Sequence, residues 1–282
     1  MMPYGWVKVS ALAAISVLLS ASSPRLPELP RVTLDTKMPT VSGRRVPVRS
    51  GRDLQRAIAD ARPGDVLELE AGSTFIGNFE LPRKTGTGWI IIRSDADGKL
   101  PPEGTRVAPA HAGAMPRILS PNELPAIRTV EGAHHYRLIG IEVSTLPEVL
   151  LSRALIDLGD GSRKQNALDL VPHDLILDRV YVHGHPALHL KRCVVLNSAS
   201  TAVIDSYLAE CHGRGQDTQA IGGWNGPGPF KIVNNYLAGS GENVMFGGAD
   251  PSTPGLIPSD IEIRRNHIIK PLAWNNAANL WT

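Results

Sequence analysis

The stretch between His212 and Asp250 concentrates the side chains that could do chemistry. Arg214 could neutralise an acidic sugar, and Asp217 with Glu242 forms a carboxylate pair of the kind used in general acid–base catalysis. The same stretch contains ten glycines, which allow a close approach of the backbone to a ligand. We therefore predict one groove that holds four catalytic residues and a metal ligand: His212, Arg214, Asp217 and Glu242 for catalysis, and Asp250 for the metal.

Three further side chains are candidates for substrate binding. Trp224 could stack on a sugar ring, while Lys270 and His185 could meet polar or acidic groups. Carboxylate oxygens are the ligands that Ca²⁺ prefers, so Ca²⁺ is the expected ion if a metal is used. Plainer alternatives stay open, because the histidines and aspartates could be turn residues, Trp224 a cover for the end of the core, and Glu242 a buried structural carboxylate.

The composition excludes several classes of protein. With 29 basic and 27 acidic residues the formal net charge is +2, which argues against a dedicated nucleic-acid binder. The 27 glycines and 23 prolines indicate frequent turns, and an aromatic content of 5% leaves an aliphatic core. A hydrophobic content of 42% is too high for a disordered protein. Many turns around an aliphatic core predict a β-rich architecture.

The first residues have the pattern of an export signal. Lys8 precedes an apolar run at 9–19, and small residues follow it, so we interpret residues 1–22 as a secretory signal peptide. The run is short for a transmembrane helix, which needs roughly 20 apolar residues. An uncleaved signal anchor is the alternative. Residues 23–47 then form a Pro-rich linker, and the protein is expected to be secreted or periplasmic.

The two cysteines, Cys193 and Cys211, are too few for a disulfide-stapled scaffold. A single bond between them is one option. The favoured interpretation is that both are small apolar residues in buried strands. Neither lies in a zinc-ligand pattern, so a cysteine zinc site has no support in the sequence.

One helix is predicted at the start of the folded region. Ser50 and Asp53 match an S-x-x-D capping box, and Leu54 and Ile58 follow at helical spacing. A Pro-Gly-Asp turn at 63–65 ends the helix and leads into a strand. No other helix is predicted beyond this point.

Repetition replaces helices in the rest of the chain. Five segments with alternating apolar residues end at positions that are 39, 26, 29 and 31 residues apart: Val143, Val182, Leu208, Leu237 and Ile268. A period of this length without helices indicates one strand-rich coil per repeat, with one inward and one outward face.

Two of these repeats place an asparagine at the same position. Asn235 and Asn266 each lie two residues before the last apolar residue, where stacked amides can hydrogen-bond along parallel strands. Val180 and Ser206 stand at this position in earlier repeats and weaken the signal. A two-sheet antiparallel sandwich is the competing fold, but it would show hairpin turns at shorter spacing. We therefore predict an all-β, right-handed parallel β-helix from residue 48 to residue 282, with the helix as its N-terminal cap.

The sequence also resembles a known group of proteins. Asp-Leu-Gln-Arg-Ala-Ile at 53–58, followed by Pro-Gly-Asp-Val-Leu-Glu-Leu at 63–69, resembles the opening of many pectin-lyase-like β-helix proteins. Gly-Glu-Asn-Val-Met-Phe-Gly-Gly-Ala-Asp-Pro at 241–251 looks like a segment of uncharacterised exported β-helix proteins. The resemblance implies the fold. It carries over no catalytic residue, because the signatures of pectate lyases and of polygalacturonase-like hydrolases do not occur here.

Two functions fit this interpretation. The first is an enzyme acting on extracellular polysaccharide, either a lyase on a uronate polymer or a glycoside hydrolase. The second is a non-catalytic surface protein that binds glycans along the solenoid. After Ile268 the sequence is too short for another full coil, so we expect either a truncated solenoid or an end covered by another subunit.

Overall fold

A computed structural model describes residues 28–50, 53–276 and 279–281. The predicted signal peptide lies outside these residues. None of the described helices is long and apolar enough to cross a membrane.

Strands dominate the described residues, which include a single α-helix ahead of most of the strands. In chain order the elements are β1 (Arg45–Val48), α1 (Leu54–Asp60), β2 (Val66–Leu69), β3 (Thr74–Ile76), β4 (Phe79–Leu81), β5 (Ile90–Ser94), β6 (Arg117–Ser120), β7 (Ile127–Thr129), β8 (His134–Ile139), β9 (Glu142–Thr145), β10 (Leu151–Ser152), β11 (Ile156–Leu158), β12 (His173–Asp178), β13 (Tyr181–His183), β14 (His189–Leu190), β15 (Arg192–Leu196), β16 (Ala199–Ile204), β17 (Tyr207–Cys211), β18 (Gln219–Gly223), β19 (Gly228–Val233), β20 (Tyr236–Gly239), β21 (Glu242–Phe246), β22 (Ile261–Arg264), β23 (His267–Ile269), β24 (Asn275–Asn276) and β25 (Asn279–Leu280). Short 3₁₀ helices occur at Asp97–Lys99, Pro109–Ala114, Leu168–Leu170, Pro254–Leu256 and Leu272–Trp274.

The strands form three long parallel sheets that the chain visits in turn. Sheet 1 has the order β1-β2-β5-β8-β12-β16-β19-β22, sheet 2 has β23-β20-β17-β13-β9-β6-β3, and sheet 3 has β21-β18-β15-β11-β7-β4. The coils from β2 to β21 each contribute one strand to every sheet, whereas β1 precedes the first full coil and the last coil adds only β22 and β23. Connections between parallel strands are right-handed in nearly all proteins. The predicted right-handed parallel β-helix is confirmed.

The register of sheet 2 agrees with the repeat found in the sequence. Val182 pairs with Val143 and Leu208, and Leu237 pairs with Leu208 and Ile268. The first four of these side chains are fully buried in one continuous core, whereas Ile268 in the last coil is 54% exposed. The alternation in the sequence therefore identified both the inward face and the alignment of the coils.

The asparagine ladder is present and extends further than the sequence indicated. The Asn235 backbone N–H donates to Asn266 Oδ1 at 2.8 Å, and the Ser206 N–H donates to Asn235 Oδ1 at 2.9 Å. Ser206 Oγ in turn accepts from the Val180 N–H at 3.0 Å. Ser206 continues the ladder because its hydroxyl can accept as an amide oxygen does.

The N-terminal helix caps the solenoid as predicted, but its N-cap is Asp53 and not Ser50. The Asp53 carboxylate accepts from the Arg56 N–H at 2.9 Å, while the Ser50 N–H donates to Glu70 Oε2 at 3.0 Å. Ser50 is therefore bound to the turn after β2 and does not cap the helix. Leu54 and Ile58 are buried and close the end of the core.

The segment interpreted as a linker is part of the structure. Its last residues form β1, which pairs in parallel with β2. Further upstream, the carbonyl oxygens of Thr36 and Lys37 accept hydrogen bonds from Arg137 at 2.8 and 3.0 Å. Arg137 is fully buried and also donates to Asp178 at 2.6 Å. This part of the chain therefore covers the outer face of sheet 1 and supplies acceptors to a buried guanidinium.

The interpretation of the cysteines as unbonded apolar residues is wrong. Cys193 on β15 and Cys211 on β17 form a disulfide, with their Cα atoms 5.5 Å apart. The two strands belong to different sheets and neighbouring coils, and both side chains are buried in the core. Only the winding of the coil brings these two positions together.

We expect Leu208→Asp to prevent folding, because an unpaired charge inside a coil costs several kcal/mol. Leu150→Asp is the matched control, since its side chain is 71% exposed. Circular dichroism and thermal melting check both variants. Cooperative melting of the Leu208 variant near the temperature of the unmodified protein would contradict the inward position.

Candidate active site

Charged residues line up on the outer face of sheet 3. Glu80, Arg128 and Asp157 are register partners on β4, β7 and β11, between neighbours that face the core. Adjacent strands lie about 4.8 Å apart, so these three side chains are neighbours. Arg128 forms an ion pair with Glu80. The register of the coils therefore places opposite charges in one row.

Asp157 has an unusual proton affinity. Burial raises the pKa of its carboxyl to about 7, and repulsion from Asp160 adds to the effect. Arg192 and Arg128 attract the carboxylate but do not offset its desolvation. In the described part of the chain no group hydrogen-bonds this carboxylate. A group that gains and loses a proton near neutral pH is suited to general acid–base catalysis.

Arg192 connects this row with the next polar group. Arg192 is the first residue of β15, and its register partner is Gln219, the first residue of β18. Gln219 in turn pairs with Glu242, the first residue of β21. Burial lowers the pKa of the Arg192 guanidinium, against the attraction of Asp217, Asp157 and Glu242. The Arg192 guanidinium therefore interacts electrostatically with all three carboxylates.

Two buried polar atoms beside Arg192 lack a partner. Arg192 Nε and Gln219 Oε1 make no hydrogen bond to any residue that the structure describes. Both lie over Gly222, where an added Cβ would be 3.1 Å from Arg192 Nε and 3.5 Å from Gln219 Oε1. Buried polar groups are normally paired, so an unpaired donor and acceptor side by side indicate a place where water or a ligand binds. Gly222 leaves the room for it.

A cavity of about 660 Å³ opens next to Asp157. Its walls include Arg128, Asp157, Asp160 and Lys164, and its lining is more polar than apolar. We call it the Asp157 cavity. This volume is in the range of pockets that hold small ligands or part of a larger one.

Asp217 and Glu242 lie close together, as the sequence predicted. The Glu242 N–H donates to the Thr218 carbonyl at 2.9 Å, and a Cβ on Gly241 would be 3.3 Å from Asp217 Oδ1. Both carboxylates are exposed and both act on Arg192. Glu242 also accepts from Gln219 Nε2 at 2.9 Å, so it is not the buried structural group of the alternative interpretation. Their catalytic role stays a prediction.

His212 lies away from this row. Its side chain is fully buried, its Nε2 donates to Glu210 Oε2 at 2.8 Å, and its ring packs 4.0 Å from Trp281. The ring also contacts Trp274, with centroids 5.1 Å apart. His212 cannot reach a substrate on the sheet-3 face in this position, because the C-terminal tryptophans cover it.

The tryptophans form a second cavity of about 670 Å³ at the turn between sheets 2 and 3. Asp217, Lys270, Trp274 and Trp281 are among its lining residues, and we call it the tryptophan cavity. Arg214 packs over Trp281, with its guanidinium carbon 4.9 Å from the ring centroid. Two of the predicted residues, Asp217 and Lys270, therefore share one cavity with aromatic rings of the kind that stack on sugars.

The other predicted residues lie elsewhere. Trp224 donates from Nε1 to the Gly161 carbonyl at 2.9 Å, and Arg192 occupies a face of its ring at 5.0 Å. Asp250 lines a separate cavity beyond the far end of β21 and belongs to no metal-ligand group among the described residues. His185 is exposed in a turn, where its Nδ1 accepts from the Ala187 N–H at 3.4 Å. The predicted convergence on one groove therefore holds for Asp217 and Glu242 but not for Asp250 or His185.

Sequence reasoning missed Arg128, Asp157 and Arg192. The repeat found in the sequence lies on the strands of sheets 1 and 2, where apolar alternation runs through two consecutive strands of each coil. Strands of sheet 3 such as β7 and β11 have three residues each and leave little pattern. A charged residue between two aliphatic ones, as at Asp157, was the available signal.

Comparison with known proteins adds a similarity of fold. No family model matches the chain, and no curated protein matches it either. Among solved structures, it is similar to an alginate lyase from Paenibacillus sp. str. FPU-7, at 14% identity and a TM-score of 0.48, over 80% of this chain and 74% of that one. It is also similar to the PL6 family alginate lyase AlyGC, at 12% identity and a TM-score of 0.36, over 72% of this chain and 28% of that one.

The parallel β-helix that the resemblance to pectin-lyase-like proteins implies is the fold that the structure shows. At these identities no residue role passes from either enzyme to this chain.

We expect Asp157→Asn to change how stability depends on pH. The folded chain holds the Asp157 proton up to about pH 7, whereas the unfolded chain releases it near its ordinary value of 3.8. The free energy of unfolding must therefore fall as pH rises between these values. The variant should lose less stability than the unmodified protein from about pH 5 to about pH 8. Urea unfolding at several pH values measures this, and parallel curves would contradict it.

Proposed function

We propose that the protein cleaves an acidic, uronate-containing polysaccharide by β-elimination on the sheet-3 face. The observation that carries the proposal is Asp157, a carboxyl that titrates near neutral pH between two arginines. A lyase needs this combination, because a cation must neutralise the uronate carboxylate before a base can remove the neighbouring proton.

Each residue then has a role in the elimination. Arg192 and Arg128, which both attract the Asp157 carboxylate, pair with the uronate carboxylate and make the adjacent C5–H more acidic. Asp157 in its ionised form removes the C5 proton. The C4–O4 bond breaks, a C4=C5 double bond forms, and Lys164 in the same cavity gives a proton to the departing oxygen. Atoms balance without water entering the product.

The residues predicted from the sequence support this site. Asp217 and Glu242 both attract the Arg192 guanidinium electrostatically. The tryptophan cavity with Lys270 lies on the other side of Asp217 and offers a second subsite for the chain of sugars. Use of Ca²⁺ and action outside the cytoplasm are part of the proposal.

A panel of uronate polymers incubated with the purified protein tests the function, with and without Ca²⁺. We expect absorbance from the unsaturated product on at least one polymer. Asp157→Asn should lower kcat by about 100-fold or more, which is what loss of a general base costs. Arg192→Lys should mainly raise KM, since lysine lacks the planar fork that binds a carboxylate.

Asp60→Asn is the matched control, because Asp60 is exposed on the capping helix and lines neither the Asp157 cavity nor the tryptophan cavity. New reducing ends without the absorbance would indicate hydrolysis and overturn the elimination. Retention of a polymer on immobilised protein without any cleavage would favour the glycan-binding alternative. Equal rates for the Asp157 and Asp60 variants would remove Asp157 from the mechanism.

A further inference from the structure

Three histidines and an aspartate lie together at the start of two strands of sheet 1. His134 and His135 begin β8, and His173 and Asp174 begin β12. His134 and His173 are register partners on adjacent coils, and their rings stack with centroids 4.9 Å apart. The group belongs to neither cavity described above, and the proposed reaction does not use it.

The donor atoms of this cluster lie within reach of one metal ion. One ring nitrogen each of His135 and His173, and a carboxylate oxygen of Asp174, lie within 4.8 Å of one another. Asp174 Oδ2 is 2.6 Å from His173 Nδ1 and 3.9 Å from His135 Nδ1. Bonds of about 2.0–2.2 Å to a tetrahedral ion place ligand atoms roughly 3.4 Å apart. Small side-chain rotations of these partly exposed groups are enough to reach that geometry.

We propose that His135, His173 and Asp174 bind a transition-metal ion of the Zn²⁺ type, with water at the fourth position. The donor set decides the class of metal. Imidazole nitrogen suits Zn²⁺, Cu²⁺ and Ni²⁺, whereas Ca²⁺ and Mg²⁺ select oxygen ligands. Two imidazoles and one carboxylate with an open position are a common set for zinc.

His134 is a positioning residue for this site. Its Nδ1 lies 2.8 Å from His135 Nδ1, a hydrogen-bond distance that orients the His135 ring and leaves His135 Nε2 as the nitrogen that binds the ion. Trp89 contacts the other side of that ring edge-on, with centroids 5.3 Å apart. Groups that orient metal-ligating histidines in this way typically change metal affinity by about 10–100-fold when removed.

The backbone limits which substitutions can test the proposal. His135 and Asp174 have φ values of 60° and 51°, in the left-handed region. Asparagine tolerates this conformation better than most residues, so His135→Asn and Asp174→Asn remove ligands with little strain. His267→Ala is the control, because His267 is an exposed histidine on the outer face of sheet 2.

Zn²⁺ alone, titrated calorimetrically into the untagged and metal-stripped protein, tests the site. We expect about one equivalent to bind, a loss of at least about tenfold in affinity in His135→Asn and Asp174→Asn, and about 10–100-fold in His134→Ala. His267→Ala should bind as the unmodified protein does. Failure to bind a stoichiometric amount, or equal affinity in all four variants, overturns the proposal.

Two further measurements use only the unmodified protein, so they test the site even if a variant folds poorly. Histidine side-chain NMR of the unmodified protein should show His135 and His173 shifting with Zn²⁺ while His267 does not, and unchanged spectra overturn the site. Ca²⁺ in place of Zn²⁺ should leave these resonances unmoved. Because the readout is binding, it is independent of whether the protein proves to be a lyase.

Discussion

Backbone hydrogen bonding between successive coils is the constraint on which the rest of the structure depends. Each strand pairs in parallel with the equivalent strand one coil away, so residues at one coil position must stack about 4.8 Å apart. Inside the solenoid this stacks aliphatic side chains such as Val182 and Leu208 into one core. At the corner between sheets 1 and 2 the same stacking aligns Ser206, Asn235 and Asn266 into a hydrogen-bonded ladder.

Stacking also determines the electrostatics of the outer faces. Charged residues that are far apart in sequence become neighbours on sheet 3. The sheet itself shields one side of these side chains from water. Asp157 retains its proton to about pH 7 because burial and Asp160 together outweigh the nearby arginines. Arg192 lies among three carboxylates because Gly222 on the next coil has no side chain to displace it. The raised pKa of Asp157 and the position of Arg192 result from the repetition of the coils combined with the missing side chain at Gly222.

Coil stacking does not cover the two ends or the outer surface of the solenoid, and other segments of the chain do so. Helix α1 covers the first coil with Leu54 and Ile58. The N-terminal segment runs over sheet 1, and its carbonyl groups accept hydrogen bonds from the buried Arg137. Without this segment the Arg137 guanidinium would be hydrated by water instead. Trp274 and Trp281 pack on His212 near the other end and form one wall of a cavity. These coverings define where a ligand can approach.

The sequence by itself determined the capping helix, the coil repeat and its register, because apolar alternation at matching positions is a local signal. It also placed Asp217 beside Glu242, since both follow strand ends that stacking aligns. Only the tertiary structure decided that Cys193 and Cys211 are bonded, that His212 is covered, and that Asp250 lies apart. His212 and Asp250 lie in turns of variable length, whose geometry has no period in the sequence, and the cysteines lie on strands of two different sheets that only the winding of the coil brings together. The tertiary structure also decided that Arg128 lies next to Asp157 and that His134 lies next to His173. These residues are register partners on adjacent coils, and the coils differ in length, so the sequence spacing does not reveal the pairing.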